Sequence, residues 1–165
     1  MVSDAIDFHT PKELTRTRMM TDMKNIEYRI IDTVDGIDFE EVAEILSFYG
    51  LSNLDAKTQK TVFENSYVTI FVKADEKVIG VGRAISDGIT HASIFNIAVR
   101  DEYRGHGIGK VIVDEILKRV EGCNVTLYTH PKHIGLYEHW GFKRLKTAYV
   151  IFHDESHYKE AGFID

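Results

Sequence analysis

Hydrophobic and polar positions switch between two periods along the chain. From Glu27 to Asp32, Tyr28 and Ile30 alternate with charged neighbours, the two-residue period of a half-buried strand. Asp38 and Glu41 stand at capping-box spacing, and Phe39, Val42, Ala43, Leu46 and Tyr49 then recur at helical spacing up to Gly50. A second helix is expected over 55–65, with Ala56, Lys60 and Phe63. Three strands follow: Tyr67–Ala74, turned by Asp75-Glu76, then Lys77–Ser86, turned by Asp87-Gly88, then Thr90–Arg100. The run Ile94-Phe95-Asn96-Ile97-Ala98-Val99 is continuous enough to predict burial on both faces. Ile108, Val111, Ile112, Ile116 and Val120 return to the helical period, which Gly122 ends. A short strand over Val125–Thr129, a short helix over Ile134–Trp140 closed by Gly141, and a last strand over Phe142–Phe152 complete the pattern. Strands grouped first and a β-α-β-α-β second half predict an α+β class: a central mixed, mostly antiparallel sheet with helices on both faces.

The two ends are polar. Residues 1–25 read as a loosely docked arm with room for one helix, which Met19, Met20 and Met23 would dock. Residues 154–165 read as a polar tail, and residues 26–153 as one domain. The length of 165 residues fits a single domain that buries about 70% of its surface. With 44% hydrophobic and 28% charged residues, the composition excludes a disordered chain and a disulfide scaffold. The lone Cys123 closes no internal bridge, which fits a reducing compartment. A net charge of −6 argues against nucleic-acid binding through a general basic surface. No apolar run approaches a membrane span, and Asp4, Asp7, His9, Lys12 and Glu13 interrupt any signal-peptide core. A cytoplasmic protein with no membrane partner is the expectation.

The most informative segment is Arg104-Gly105-His106-Gly107-Ile108-Gly109-Lys110. Alternating glycines follow a strand and open an amphipathic helix. Glycine permits positive φ and close approach of a ligand to the backbone N–H groups. The helix start adds unpaired N–H groups and the positive end of the dipole. Arg100, Arg104, His106 and Lys110 add cationic side chains, so the segment suits phosphate oxygens. Two nucleotide fingerprints fit poorly. G-x-G-x-x-G fails because Lys110 stands where the third glycine belongs, and Thr129 where the ribose-binding acid belongs. The P-loop pattern fails because Val111 replaces the hydroxyl residue and Arg104 the first glycine.

The pattern that fits is R-x-x-G-x-G, carried by Arg104, Gly107 and Gly109 after Ile97-Ala98-Val99. It resembles the acetyl-CoA pyrophosphate loop of the GNAT superfamily of acyl-CoA-dependent N-acyltransferases. A second segment, Leu136-Tyr137-Glu138-His139-Trp140-Gly141-Phe142, is similar to that family's L-Y-x-x-x-G-F signature. The resemblance covers roughly residues 27–152. It implies acetyl-CoA as cosubstrate, no metal, and a primary-amine acceptor, here a small molecule. It implies that the strand before the loop and the strand after the helix splay apart. The pantetheine arm would lie along Asn96, Ile97, Ala98 and Val99, and the pyrophosphate on Arg104, Gly105, His106, Gly107, Ile108, Gly109 and Lys110. An amide near Ala98 or Val99 would polarise the thioester carbonyl. Tyr137 would protonate the leaving thiolate. The amine would attack directly, with both substrates bound. The alternative is a catalytically idle acyl-CoA sensor on the same fold, and a homodimer is open by analogy.

The chain departs from the family where many members carry Asn and Ala, seven and four residues before the tyrosine; here these are His130 and His133. The base that takes the amine proton is not specified: His91, Asp87, Glu102 and His130 are open. Tyr137 has a plainer alternative, a core aromatic beside Trp140. His153-Asp154-Glu155-Ser156-His157 echoes H-E-x-x-H, but Asp154 replaces the catalytic Glu and the segment follows a strand. The basic run Lys143-Arg144-Leu145-Lys146 reads as a solvated strand edge, or as a contact to the adenosine phosphate.

Overall fold

The computed structural model describes residues 18–21 and 26–165, and the chain forms two compact units, the first ending at Thr126 and the second running from Leu127 to Asp165. The boundary falls inside the segment expected as one domain.

The first unit is built on a six-stranded sheet whose spatial order follows the sequence: β1 (Arg18–Thr21), β2 (Glu27–Ile31), β3 (Val68–Ala74), β4 (Lys77–Ser86), β5 (His91–Val99) and β6 (Asn124–Thr126). The first five strands are antiparallel; β6 runs parallel to β5. Arg18–Thr21 belongs to the segment read as an arm with a helix, and forms an edge strand on β2 instead. Pairing satisfies backbone groups of β2 that a docked helix would leave open. The expected docking role of Met23 lies outside the described residues.

Helix α1 (Phe39–Phe48) begins at Asp38, whose side chain accepts the Glu40 N–H. The expected capping box does not close, because the Glu41 carboxylate instead accepts the Val78 N–H at 2.8 Å and ties α1 to the sheet. Helix α2 (Ala56–Glu64) is capped by Asp55 on the Thr58 N–H. Phe39, Val42, Ile45, Leu46 and Phe63 of these helices pack with Phe71, Val78, Val81 and Ala98 of the sheet. Helix α3 (Ile108–Arg119) covers the other face. The alternation on β4 shows this: Val81 joins the α1–α2 cluster, while a Cβ at Gly80 or Gly82 would meet Ile108, Ile112 or Ile116. Gly82 has no room to spare: a Cβ there would lie 2.6 Å from Ile97 Cδ1. The two glycines form a floor on which α3 sits close, and Ile108, Ile112 and Ile116 are fully buried against it. Burial of each contributes roughly 1.5–3 kcal/mol. This contact sets the start of α3, and hence the glycine loop.

Strand β3 is buried along its whole length, Lys73 included, and its ammonium reaches Glu76 at 3.3 Å. β5 differs from expectation. Ile94 and Ala98 are buried, but Phe95, Asn96, Ile97 and Val99 are only half-buried. The cause is the short β6, whose ladder on β5 covers only His91–Ser93.

In the second unit, a 3-10 turn at Pro131–His133 leads into α4 (Ile134–His139), and α5 (Glu155–Glu160) forms where a polar tail was expected. Asp154 caps α5 by accepting the His157 N–H at 3.2 Å. His153 therefore precedes the helix and does not share a helical face with His157, as the metal motif requires. Tyr128, Phe152, Tyr158 and Phe163 make a small ring cluster, with Phe152 and Tyr158 stacked at 3.5 Å. The expected strand over Phe142–Phe152 is irregular: a strand needs a ladder partner, and none of the second unit's residues forms a strand. Tyr149 and Ile151 are 99% and 100% exposed, and Lys143, Arg144 and Lys146 are solvated.

Candidate active site

Gly107 is the N-cap of α3, at φ 77° and ψ 0°, and Gly105 sits at φ 79°. A Cβ at either would meet nothing, so the glycines serve the left-handed turn and leave the loop's outer side open. The first helical bond is Val111 N–H to Gly107 O at 3.1 Å. The amides of Ile108, Gly109 and Lys110 therefore project from the first turn without helical acceptors. This is a donor set for phosphate oxygens, reinforced by the dipole of a twelve-residue helix. The loop's cations are already engaged. Arg104 pairs with Asp101 at 3.2 Å, and Lys110 pairs with Asp114 one turn along α3.

Arg100 does not join this cationic group as expected. Its Nε donates to Val78 O at 2.8 Å, and its Nη2 pairs with Glu44 at 2.8 Å. With a side chain 11% exposed, it fastens α1 to the end of β5. Glu44 is held below the usual carboxylate range by its hydrogen bond and charge attraction to Arg100.

The edge of β5 carries the second part of the site. Beyond Ser93 and Thr126, β5 has no ladder to β6. On its other side, the register to β4 shifts between Val81 and Arg83, so that Asn96 and Ile97 oppose Gly82 alone. This is a bulge, and Asn96 takes the left-handed conformation at φ 57°. After it, Arg100 N–H bonds Ile79 O at 2.8 Å. Antiparallel alternation then turns the N–H and C=O of Val99 away from β4, toward the open edge. The Tyr49 hydroxyl donates to Val99 O at 2.7 Å, in keeping with that orientation. Burial raises the Tyr49 phenol above its ordinary value, against an opposing attraction from Arg104. Tyr49 lines a surface hollow of about 310 Å³ with Glu44, Ile45, Phe48, Lys77, Arg100, Asp101 and Glu102. Periodicity alone made Tyr49 a helix core position. An amphipathic ring at a helix end was the available signal for more.

Tyr137 lies on α4 in the second unit. Its ring meets Trp140 at 5.3 Å and Phe142 at 5.8 Å, both edge-on, so the packing role is real. Burial also pushes its phenol above the usual value, which keeps the proton on at neutral pH. His130 accepts the Lys132 N–H at 3.3 Å and packs 6.3 Å from His133 and 5.6 Å from Phe163. Two of the candidate bases are poor proton acceptors. The Asp87 carboxyl is held far below its usual range by the Thr90 hydroxyl and the amides of Ile89, Thr90 and His91. Glu102 is lowered by a backbone hydrogen bond and by Lys77. His91 starts β5 and contacts the Thr90 hydroxyl at 2.9 Å.

The residues present fit acetyl-CoA. The open edge of β5 offers backbone groups for an amide-bearing arm, and the loop at the strand's end offers amides and cations for a pyrophosphate. The family model of the GNAT acetyltransferase domain covers residues 65–144, from before β3 through the loop to the segment after α4. An uncharacterized N-acetyltransferase, ycf52, of Gracilaria tenuistipitata var. liui is 29% identical over 113 residues, which cover 64% of this chain and 62% of that protein. The GCN5-related N-acetyltransferase 1, chloroplastic, of Arabidopsis thaliana is 21% identical over 126 residues, covering 73% of this chain and 64% of that one. The alignments thus span somewhat less than two thirds of these relatives. Among solved structures, a GNAT-family acetyltransferase of Streptococcus pneumoniae shares the fold, with a TM-score of 0.65 at 22% identity over 76% of this chain and 96% of that one. The match to the GNAT acetyltransferase domain spans residues 65–144, and the likeness of fold to a GNAT-family acetyltransferase extends over 76% of the chain.

Proposed function

We propose that the protein transfers the acetyl group of acetyl-CoA to a primary amine of a small molecule, by direct attack within a ternary complex. One observation carries this reading: β5 loses its β6 partner after Ser93, bulges at Asn96, and leads through one 3-10 turn at Asp101–Tyr103 into the amide-rich loop at Arg104–Lys110. That continuity supports an arm along Ile97, Ala98 and Val99, ending with its pyrophosphate over Gly105, His106, Gly107, Ile108 and Gly109. Acetyl-CoA supplies an activated thioester. An outward amide of β5 polarises its carbonyl oxygen. The amine nitrogen forms the new C–N bond, the C–S bond breaks, and the thiolate takes the Tyr137 phenolic proton. The attacking amine gives up its own proton to a base or through water. The lone Cys123 and the acidic net charge support a reducing, cytoplasmic setting and a partner that is not nucleic acid.

The test is thiol release from acetyl-CoA across a panel of primary amines, alongside calorimetry with CoA. Turnover with any amine supports the transferase reading. Tight binding with no turnover on any amine supports the acyl-CoA sensor instead.

A further inference from the structure

The left-handed bulge at Asn96 is not left to the backbone. Asn96 is one of only two described non-glycine residues at positive φ, the other being Asp75 in the β3–β4 turn. A side chain in that conformation is disfavoured unless its surroundings fix it. Here the fixing group is Arg83, on the neighbouring strand. Its Nε donates to Asn96 Oδ1 at 2.7 Å, and its Nη1 donates to Ser66 Oγ at 3.3 Å, just after α2. Its guanidinium lies over the Phe95 ring, 5.0 Å from the centroid. The planar fork thus joins three points: the end of the α2 segment, the ring before the bulge, and the bulge itself. Lysine lacks that geometry.

On the acyl-CoA reading above, on which this inference rests, the bulge sits in the strand that receives the arm. Removing a residue from the ladder re-aims the groups that follow it. Ile97, Ala98 and Val99 are those groups. We propose that Arg83 is a positioning residue for the acyl-CoA arm: by clamping Asn96, it fixes the backbone of β5 on which the arm and the thioester carbonyl dock. Arg83 acts through Asn96 and does not itself contact the cosubstrate. The glycine loop, several residues further on, is positioned by the packing of α3 on Gly80 and Gly82, in which the Arg83–Asn96 bond takes no part.

That separation supplies the test. Acetyl-CoA carries both the arm and the pyrophosphate; ADP carries a pyrophosphate and no arm. Binding of each is measured by calorimetry for the wild type and for Asn96→Gly, Asn96→Asp, Arg83→Lys and Arg83→Met. Asn96→Gly keeps the left-handed turn accessible and removes only the acceptor. Its acetyl-CoA Kd should rise about tenfold, the scale of one hydrogen bond to a charged group, while its ADP Kd moves less than about twofold. Asn96→Asp, which still accepts from Arg83, should lose clearly less than Asn96→Gly. Arg83→Met should match Asn96→Gly, and Arg83→Lys should fall between it and the wild type. An Asn96→Gly protein with wild-type acetyl-CoA affinity would overturn the proposal. So would equal weakening toward acetyl-CoA and ADP, which would assign the clamp to general stability. A wild type that binds neither ligand would remove the acyl-CoA reading and this inference with it.

Discussion

Tyr137 shows how packing and acidity are set by one environment. Its edge-on contacts with Trp140 and Phe142 hold the ring, and the same burial raises the phenol. The sign follows from the charge of the deprotonated form. Burial disfavours phenolate, so between the ordinary value near ~10 and the raised one the folded chain binds more protons than the unfolded chain. Stability therefore falls as pH rises through that window and is untouched at neutral pH. If Tyr137 donates to the thiolate, Tyr137→Phe should lower kcat by about 10²–10⁴-fold with little change in Tm. The alkaline limb of kcat should lie above pH ~10 and vanish in the variant. Wild-type turnover in Tyr137→Phe would return the residue to packing alone. Tyr49 has a smaller task. Tyr49→Phe removes the bond to Val99 O and should weaken acetyl-CoA binding by roughly fivefold, the size of one net hydrogen bond. Calorimetry showing no change would detach Tyr49 from the arm. Sequence pattern found Tyr137 through its flanking Leu136 and Gly141-Phe142. It gave Tyr49 only as a helix position and did not single out Arg83; their partners lie 50 and 13 residues away.

The loop and the first turn of α3 gather unpaired amides and cations, and two of those cations are held in check. Arg104 and Lys110 each pair with a carboxylate of the same element, Asp101 and Asp114. A phosphate must compete with those partners. Asp114→Asn or Asp101→Asn should therefore strengthen CoA binding by about two- to fivefold at low ionic strength, with the gain shrinking as salt screens exposed charges. Weaker binding in both variants would show that the carboxylates orient the cations and do not merely occupy them. Gly107→Ala should weaken binding and lower stability by about 1–2 kcal/mol, because alanine is strained in the left-handed region. Unchanged affinity in a folded Gly107→Ala protein would falsify the loop assignment. The loop was legible because its requirement is local: glycines where φ is positive and a helix immediately after. The strand β5 was misjudged because its run of apolar residues says nothing about where its neighbour stops pairing.

Across the first unit, the site depends on how closely α3 approaches the sheet. Gly80 and Gly82 remove the side chains that would hold it off, and Ile112 fills the space with no exposure. Ile112→Ala should cost about 2–5 kcal/mol in urea unfolding, and it should weaken CoA binding as the start of α3 shifts. A large stability loss with unaltered CoA affinity would separate the loop's position from this packing. The opposite face is secured differently, by Arg100 on Glu44 and Val78 O and by Glu41 on the Val78 N–H. The net charge of −6 hides this division of labour. Of the four cations expected at the loop, Arg100 is spent on holding α1 to the sheet.

The sequence by itself determined the order and type of most elements, the turns, the glycine loop and the resemblance to GNAT acetyltransferases. Each of these rests on short-range rules: period, capping, backbone freedom and motif spacing. Tertiary structure decided what those rules cannot reach. It ended the β6 ladder after three residues, leaving the β5 edge open, and it drew Arg83 across to the bulge at Asn96. It also turned Arg100 inward, and it left 142–152 without a ladder inside the second unit. Pairing partners and ion pairs between distant segments are set by which surfaces packing brings together, and no local pattern encodes that choice.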